Sequence, residues 1–254
     1  MSEKTYALQN RSRPEVVERR RVLYDLFKRS PLPVDELMVN LGLYMRSGAL
    51  ARILFLNELY ESIVHLPGCV VEFGTWWGQS LVLFENLRAV HEPYNYTRRI
   101  IGFDTFEGYR EPGDHDKPSE TIKRGGYATS RNYEAYLNEL LDYHQSENVM
   151  GHIRRHRLVK GDATQTAAAY FNEHPEDVVA LAFFDLALYE PTKKCIEAIA
   201  PRLVKGAVVA FDEFGASEYP GETQAIMETL GLRTHTIRRS RFLPDRAYLV
   251  IDGP

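Results

Sequence analysis

Residues 69–211 alternate five short apolar runs with stretches of helical period, an order that a sheet wrapped by helices satisfies and few other folds can. The runs are 69–73, 100–103, 154–159, 178–184 and 207–211. Each is too apolar to face water on either side, so each is predicted as a parallel strand covered on both faces. Helices are predicted between and after them at 79–90, 130–144, 163–172, 191–203 and 223–230. The tail breaks this rhythm: 233–238 and 247–251 are strand-like, and 241–246 leaves no room for a helix, which implies an antiparallel pair. The expected fold is α/β, a doubly wound, mostly parallel seven-stranded sheet closed by an antiparallel C-terminal strand pair.

The first 66 residues follow a different pattern, helical at 14–27, 34–41 and 43–65 and closed by Pro67-Gly68. The chain therefore divides into a helical extension, 1–66, and a sheet domain, 67–254. Leu50, Ile53, Leu54, Phe55 and Leu59 give the extension more apolar surface than one sheet face can cover. It is expected to cover a cofactor pocket and to join subunits of a homo-oligomer. The arginine-rich stretch 11–21 is interrupted by Glu15 and Glu18 and suits a solvated face or a subunit contact.

Composition removes several classes. A net charge of -4 and a pI near 6.1 argue against a binder of nucleic-acid backbone. The longest apolar run, 178–184, has seven residues where a membrane span needs about twenty. The start, Met1-Ser2-Glu3-Lys4, lacks the apolar core of a secretory signal. With only Cys69 and Cys195, both in apolar or helical surroundings, a reducing cytoplasm is the expected location.

The first predicted strand runs into the turn Glu72-Phe73-Gly74-Thr75-Trp76-Trp77-Gly78-Gln79-Ser80. In open α/β sheets ligands bind beyond the carboxyl ends of the strands, where this turn falls. A dinucleotide fingerprint needs a second glycine two residues after the first, and that position is Trp76. The spacing Glu72-x-Gly74-x-x-x-Gly78 instead fits a loop that wraps the amino-acid part of S-adenosylmethionine. Glu72 would accept from its ammonium group, and loop N–H groups or Ser80 would face its carboxylate. The same residues would also serve a plain strand-to-helix turn with packed aromatics. Asp104, at the next strand end, is placed for ribose hydroxyls. Asp162, after Gly161, suits either the adenine amino group or the N-cap of the helix opening at Ala163.

Strands four and five end in acids, Asp185 and Asp212-Glu213, and in the inferred strand order they are neighbours. Three converging carboxylates repel one another unless a cation sits among them. Oxygen donors without His or Cys favour a hard ion such as Mg2+, which would activate an acceptor hydroxyl. These residues would otherwise be turn and loop acids. The polar segment 107–131, with Pro112-Gly113, Pro118 and Gly125-Gly126, has the length of a functional lid. His115 lies within it and, with Asp185, is the candidate base for a metal-free route.

The segments Glu72-Phe73-Gly74-Thr75-Trp76-Trp77-Gly78, Asp104-Thr105-Phe106-Glu107-Gly108, Asp185-Leu186-Ala187-Leu188-Tyr189-Glu190 and Asp212-Glu213-Phe214 together resemble the macrocin O-methyltransferase family, including its calicheamicin-type deoxysugar O-methyltransferases. The resemblance spans 43–214. It implies the S-adenosylmethionine methyltransferase sheet, Mg2+ held by Asp185, Asp212 and Glu213, and a cofactor cover at Tyr44-Met45-Arg46. By the same motifs Thr105, Phe106 and Gly161 join the cofactor-binding set. The chain departs from the family at Ala187, where a second acid is usual, and at Glu213, where an Asp is usual. Glu still coordinates Mg2+, but with Ala187 the general base is left unassigned.

The expected function is therefore S-adenosylmethionine-dependent, Mg2+-assisted O-methylation of a deoxysugar hydroxyl, nucleotide-linked or on a glycosylated natural product. The rivals are a phenol O-methyltransferase and a non-catalytic adenosyl-binding assembly protein. No nucleic-acid or membrane partner is expected, since the Asn/Asp-Pro-Pro-Tyr segment of base-modifying amino methylases is absent at 185–188.

Overall fold

A computed structural model describes residues 14–253. The start of the arginine-rich stretch and the first residues of the chain lie outside them. Seven strands form one sheet in the order β3-β2-β1-β4-β5-β7-β6. These are β1 (Cys69–Phe73), β2 (Ile100–Asp104), β3 (His156–Lys160), β4 (Val179–Phe184), β5 (Leu203–Phe211), β6 (Thr236–Arg239) and β7 (Ala247–Val250). The first five are parallel; β7 runs antiparallel to both β5 and β6. The order reverses between β1 and β4, the place where a doubly wound sheet opens a crevice.

Alternation along the strands builds two cores. Val70, Ile100, Leu181 and Val208 face α3 (Ser47–Glu61), α4 (Gln79–His91) and α5 (Tyr133–Ser146). Val71, Phe73, Phe103, Phe184 and Phe211 face the opposite layer, α6 (Ala163–Glu173), α7 (Tyr189–Ile199) and α8 (Pro220–Thr229). All five β1 residues are buried, as a central strand with helices on both faces requires. The stacked rings of Phe103, Phe73, Phe184 and Phe211, neighbours 4.8–5.1 Å apart, tie four parallel strands together on one face.

The boundaries differ from expectation mainly at 200–206. Leu203 begins β5 rather than ending a helix, because Pro201 closes α7 in a short 3-10 turn. In the extension, α1 (Pro14–Lys28) and α2 (Val34–Val39) bury no residue, whereas α3 buries Phe55, Leu56, Leu59 and Tyr60. Among the described residues no helix is long and apolar enough to cross a membrane.

Candidate active site

The turn after β1 is shaped by close backbone approach. Gly74 has φ +91°, and a Cβ there would overlap the carbonyl of Asp185 at the end of β4. Only glycine lets the two strand ends meet so closely. Gly78 has φ +77° just before α4, where a Cβ would overlap the Leu137 side chain. The turn also grips β2: the Trp76 N–H donates to Asp104 Oδ2 at 2.7 Å, and the Phe106 N–H to Oδ1 at 2.5 Å. Burial pushes the Asp104 pKa up while these backbone donors pull it down. Both oxygens are thus oriented, with the residue still on the cavity wall.

Above the carboxyl edge opens a cavity of about 1090 Å³. Glu72, Gly74, Thr75, Trp76, Ser80, Asp104, Thr105, Gly161 and Asp162 line it, together with Asp185, Asp212 and Glu213. Glu72 is 2% exposed, and its Oε2 has no hydrogen-bond partner. Burial, then the proximity of Asp185, raises its pKa well above the carboxylate range. An orphaned buried oxygen of this kind fits a ligand's ammonium group.

Asp185, Asp212 and Glu213 each bring one oxygen within 4.8 Å of the others. They are not alone, for two arginines reach them from opposite ends of the chain. Arg246, just before β7, grips Asp212 with both arms, Nε to Oδ1 at 2.7 Å and Nη2 to Oδ2 at 2.9 Å. Arg52, on α3, meets Asp212 at 3.0 Å, Asp185 at 3.4 Å and the Ser80 hydroxyl at 2.9 Å. Burial works against the Arg52 charge, but Asp212 and Asp185 outweigh it and raise its pKa. Repulsion among three acids therefore does not by itself demand a metal ion here, because guanidinium groups already offset Asp185 and Asp212. Even so, burial and then Asp212 push Asp185 up to about 7. Behind them Glu222, fully buried, accepts from the Glu213 N–H at 2.9 Å and keeps Oε2 unpaired.

The chain is similar to known proteins. A family profile described as a methyltransferase domain matches residues 71–214. The solved structure of CalS11, a calicheamicin methyltransferase, is 40% identical, covers 98% of this chain and 99% of its own, and superposes with a TM-score of 0.92. The chain belongs to the S-adenosylmethionine-dependent O-methyltransferases. An apo structure of CalS11, described as a TDP-rhamnose 3'-O-methyltransferase, is similar at 39% identity over 96% of each chain, with a TM-score of 0.83. The O-methyltransferase NovP, 19% identical over 80% of each chain with a TM-score of 0.60, shares the fold. No curated protein sequence matches the chain.

Several residues named from sequence stand elsewhere in this methyltransferase. His115 does not line the cavity; its ring stacks on Tyr189 at 4.1 Å, and Nδ1 pairs with Gln224 at 2.7 Å, so it fastens the lid to α7 and α8. Nearby, Asp116 Oδ1 accepts from the Tyr189 N–H at the start of α7, at 2.8 Å. Tyr44, Met45 and Arg46 are also absent from the cavity wall: the Tyr44 hydroxyl bonds Ser30 at 2.8 Å and its ring packs on Phe27 of α1. Phe106 is buried and contributes its N–H rather than its ring. Asp162 caps α6 through the Thr164 N–H at 2.9 Å, the N-cap alternative, and also lines the cavity. The residues that sequence missed are Arg52, Arg246 and Glu222.

Proposed function

We propose that this enzyme transfers a methyl group to a hydroxyl of a deoxysugar, nucleotide-linked or borne on a natural product, with Mg2+ assisting. The observation that carries this reading is a single cavity in which the Glu72–Asp104 wall and the Asp185–Asp212–Glu213 cluster face one space. Its volume suits a cofactor and an acceptor held together. S-adenosylmethionine supplies an electrophilic methyl; Glu72 would take its ammonium, Asp104 its ribose and Asp162 its adenine edge. Asp185, Asp212 and Glu213 would hold Mg2+, whose Lewis acidity serves the acceptor hydroxyl. Oxygen donors from three carboxylates within 4.8 Å fit that ion. Arg246 keeps Asp212 fixed in this arrangement, and the segment 107–131, which contributes to the cavity wall, would serve to keep water from the reacting groups.

The description of CalS11 as a TDP-rhamnose 3'-O-methyltransferase makes TDP-rhamnose the first acceptor to try. Turnover of TDP-rhamnose and of rhamnosylated aglycones, with and without chelator, tests the reading. Chelator should abolish methyl transfer and leave calorimetric cofactor binding intact. Full activity in exhaustive chelator would remove the metal and leave Asp185 as the base to test.

The extension, residues 1–66, is proposed to join subunits of a homo-oligomer and to help cover the cofactor. Val22, Tyr24, Val34, Met38, Val39 and Leu43 are all more than half exposed on its outer elements, an unusual apolar load for a solvated surface. Removing residues 1–40 should lower the number of protomers per particle in sedimentation; an unchanged number would refute the subunit contact. The two free, buried cysteines and the net negative charge accord with a cytoplasmic enzyme without nucleic-acid partners.

A further inference from the structure

The segment between β2 and α5 carries the dipeptide Gly-Tyr twice, as Gly108-Tyr109 and Gly126-Tyr127. The two copies lie side by side. The Tyr109 N–H donates to the Gly126 carbonyl at 2.8 Å, and the Gly125 N–H donates to the Tyr109 carbonyl at 2.8 Å. A Cβ at position 108 would overlap the Gly126 carbonyl, so this pairing depends on a glycine. It brings the Tyr109 and Tyr127 rings to 5.3 Å, with Trp76 5.4 Å from Tyr127. All three residues line the cavity. Trp76 and Tyr127 hold φ values of +48° and +63°, left-handed conformations that bulky residues seldom adopt and that cluster at ligand sites.

Asp185 and Glu213 line the same cavity as Tyr109 and Tyr127, so this wall and the acid cluster face one space. A pyranose presents C–H groups on its faces and hydroxyls around its edge. The face suits the electron-rich plane of an aromatic ring, and the edge suits carboxylates. We propose that Tyr109 and Tyr127, backed by Trp76, form the platform on which the acceptor's sugar ring lies, its reacting hydroxyl turned toward Asp185 and Glu213. This inference rests on the sugar-methylating reading above. A nucleobase is the other flat group that could stack there, and the test separates the two.

Wild type, Tyr127→Phe and Tyr127→Leu would be compared with TDP-rhamnose as acceptor, TDP as competitive inhibitor and calorimetry for S-adenosylmethionine. Tyr127→Leu should lower kcat/KM for the acceptor at least tenfold, with cofactor Kd and TDP inhibition each within twofold of wild type. Tyr127→Phe, which keeps the ring, should stay within about threefold. Tyr109→Leu gives the same readout at a second position should Tyr127→Leu fail to fold. A matching loss of TDP affinity would show that the wall holds the base and overturn the inference. So would wild-type kcat/KM in both leucine variants. No turnover of any deoxysugar acceptor by wild type would instead remove the functional reading, and the inference with it.

Discussion

The two edges of the sheet use the same groups, buried arginines and carboxylates, to opposite ends. At the amino edge Arg98, 1% exposed, donates to the carbonyls of Ile63, Leu66 and Gly68 and pairs with Glu92, which also accepts from Tyr60 at 2.6 Å and Asn95 at 2.7 Å. Burial opposes the Glu92 charge, yet the hydrogen bonds from Arg98, Tyr60 and Asn95 hold its pKa down. Arg88 pairs with Glu85 close by, both fully buried. The unpaired buried atoms there are nitrogens, at Arg88 Nη1, Gln145 Nε2, Arg155 Nε and His156 Nδ1. At the carboxyl edge the surplus is acceptor oxygen, at Glu72 and Glu222, and the acids outnumber Arg52 and Arg246. One edge is a closed clamp; the other is short of positive charge and so suited to cationic ligands.

The largest expected effect falls on the clamp. Arg98→Ala strands Glu92 and three carbonyls, and should cost about 3–5 kcal/mol in denaturant unfolding. Asp104→Ala at the other edge should weaken cofactor binding by about 1.5–3 kcal/mol in calorimetry, the range for charge-assisted hydrogen bonds. Unchanged affinity would mean that another residue holds the ribose. Asp212→Asn, which keeps an acceptor oxygen for Arg246 and leaves Arg52 paired with Asp185, should cost only about 1–2 kcal/mol of stability while abolishing turnover. If it unfolds the protein as readily as Arg98→Ala, the contrast between the edges is wrong.

The edges should also oppose each other in pH dependence. His156, at the amino edge, is pushed below its ordinary 6.5 chiefly by burial. Its folded form binds fewer protons than the unfolded chain, so its stabilisation is present above pH 6.5 and is lost as pH falls through its lowered pKa. Asp185 is raised from 3.8 to about 7, so the folded state binds the extra proton and its contribution is lost as pH rises across that window. Unfolding free energies from pH 4 to 8 should flatten at the acidic end in His156→Gln and toward neutrality in Asp185→Asn. Parallel profiles for both variants and wild type would remove the assignment.

The sheet and the shape of the turn after β1 were legible because their signals are local: short apolar runs alternating with helical period, Gly74 and Gly78 at fixed spacing, and acids at strand ends. The arginines that complete the site were not. Arg52 meets Asp212 across 160 positions and Arg246 meets it across 34, and no local period records such a pairing. Arg52 did leave one trace, a charge inside the apolar run Ala49-Leu50-Ala51-Arg52-Ile53-Leu54-Phe55. A cation there must find a buried anion. His115 shows the converse error: a histidine in a polar lid among acids looks available, but stacking on Tyr189 depends on where α7 lies.

The contact between Gly74 and the Asp185 backbone has a consequence for redesign. Because the two strand ends touch without an intervening side chain, the spacing between the loop after β1 and the acid-bearing strand is a property of the scaffold rather than an adjustable parameter. Acceptor range is then most readily altered by grafting or recombining the segment between β2 and α5, which varies the roof while the reaction distance stays fixed. Libraries randomised at position 74 should recover glycine in nearly every well-folded clone, and libraries in 107–131 should yield active ones with shifted acceptor preference.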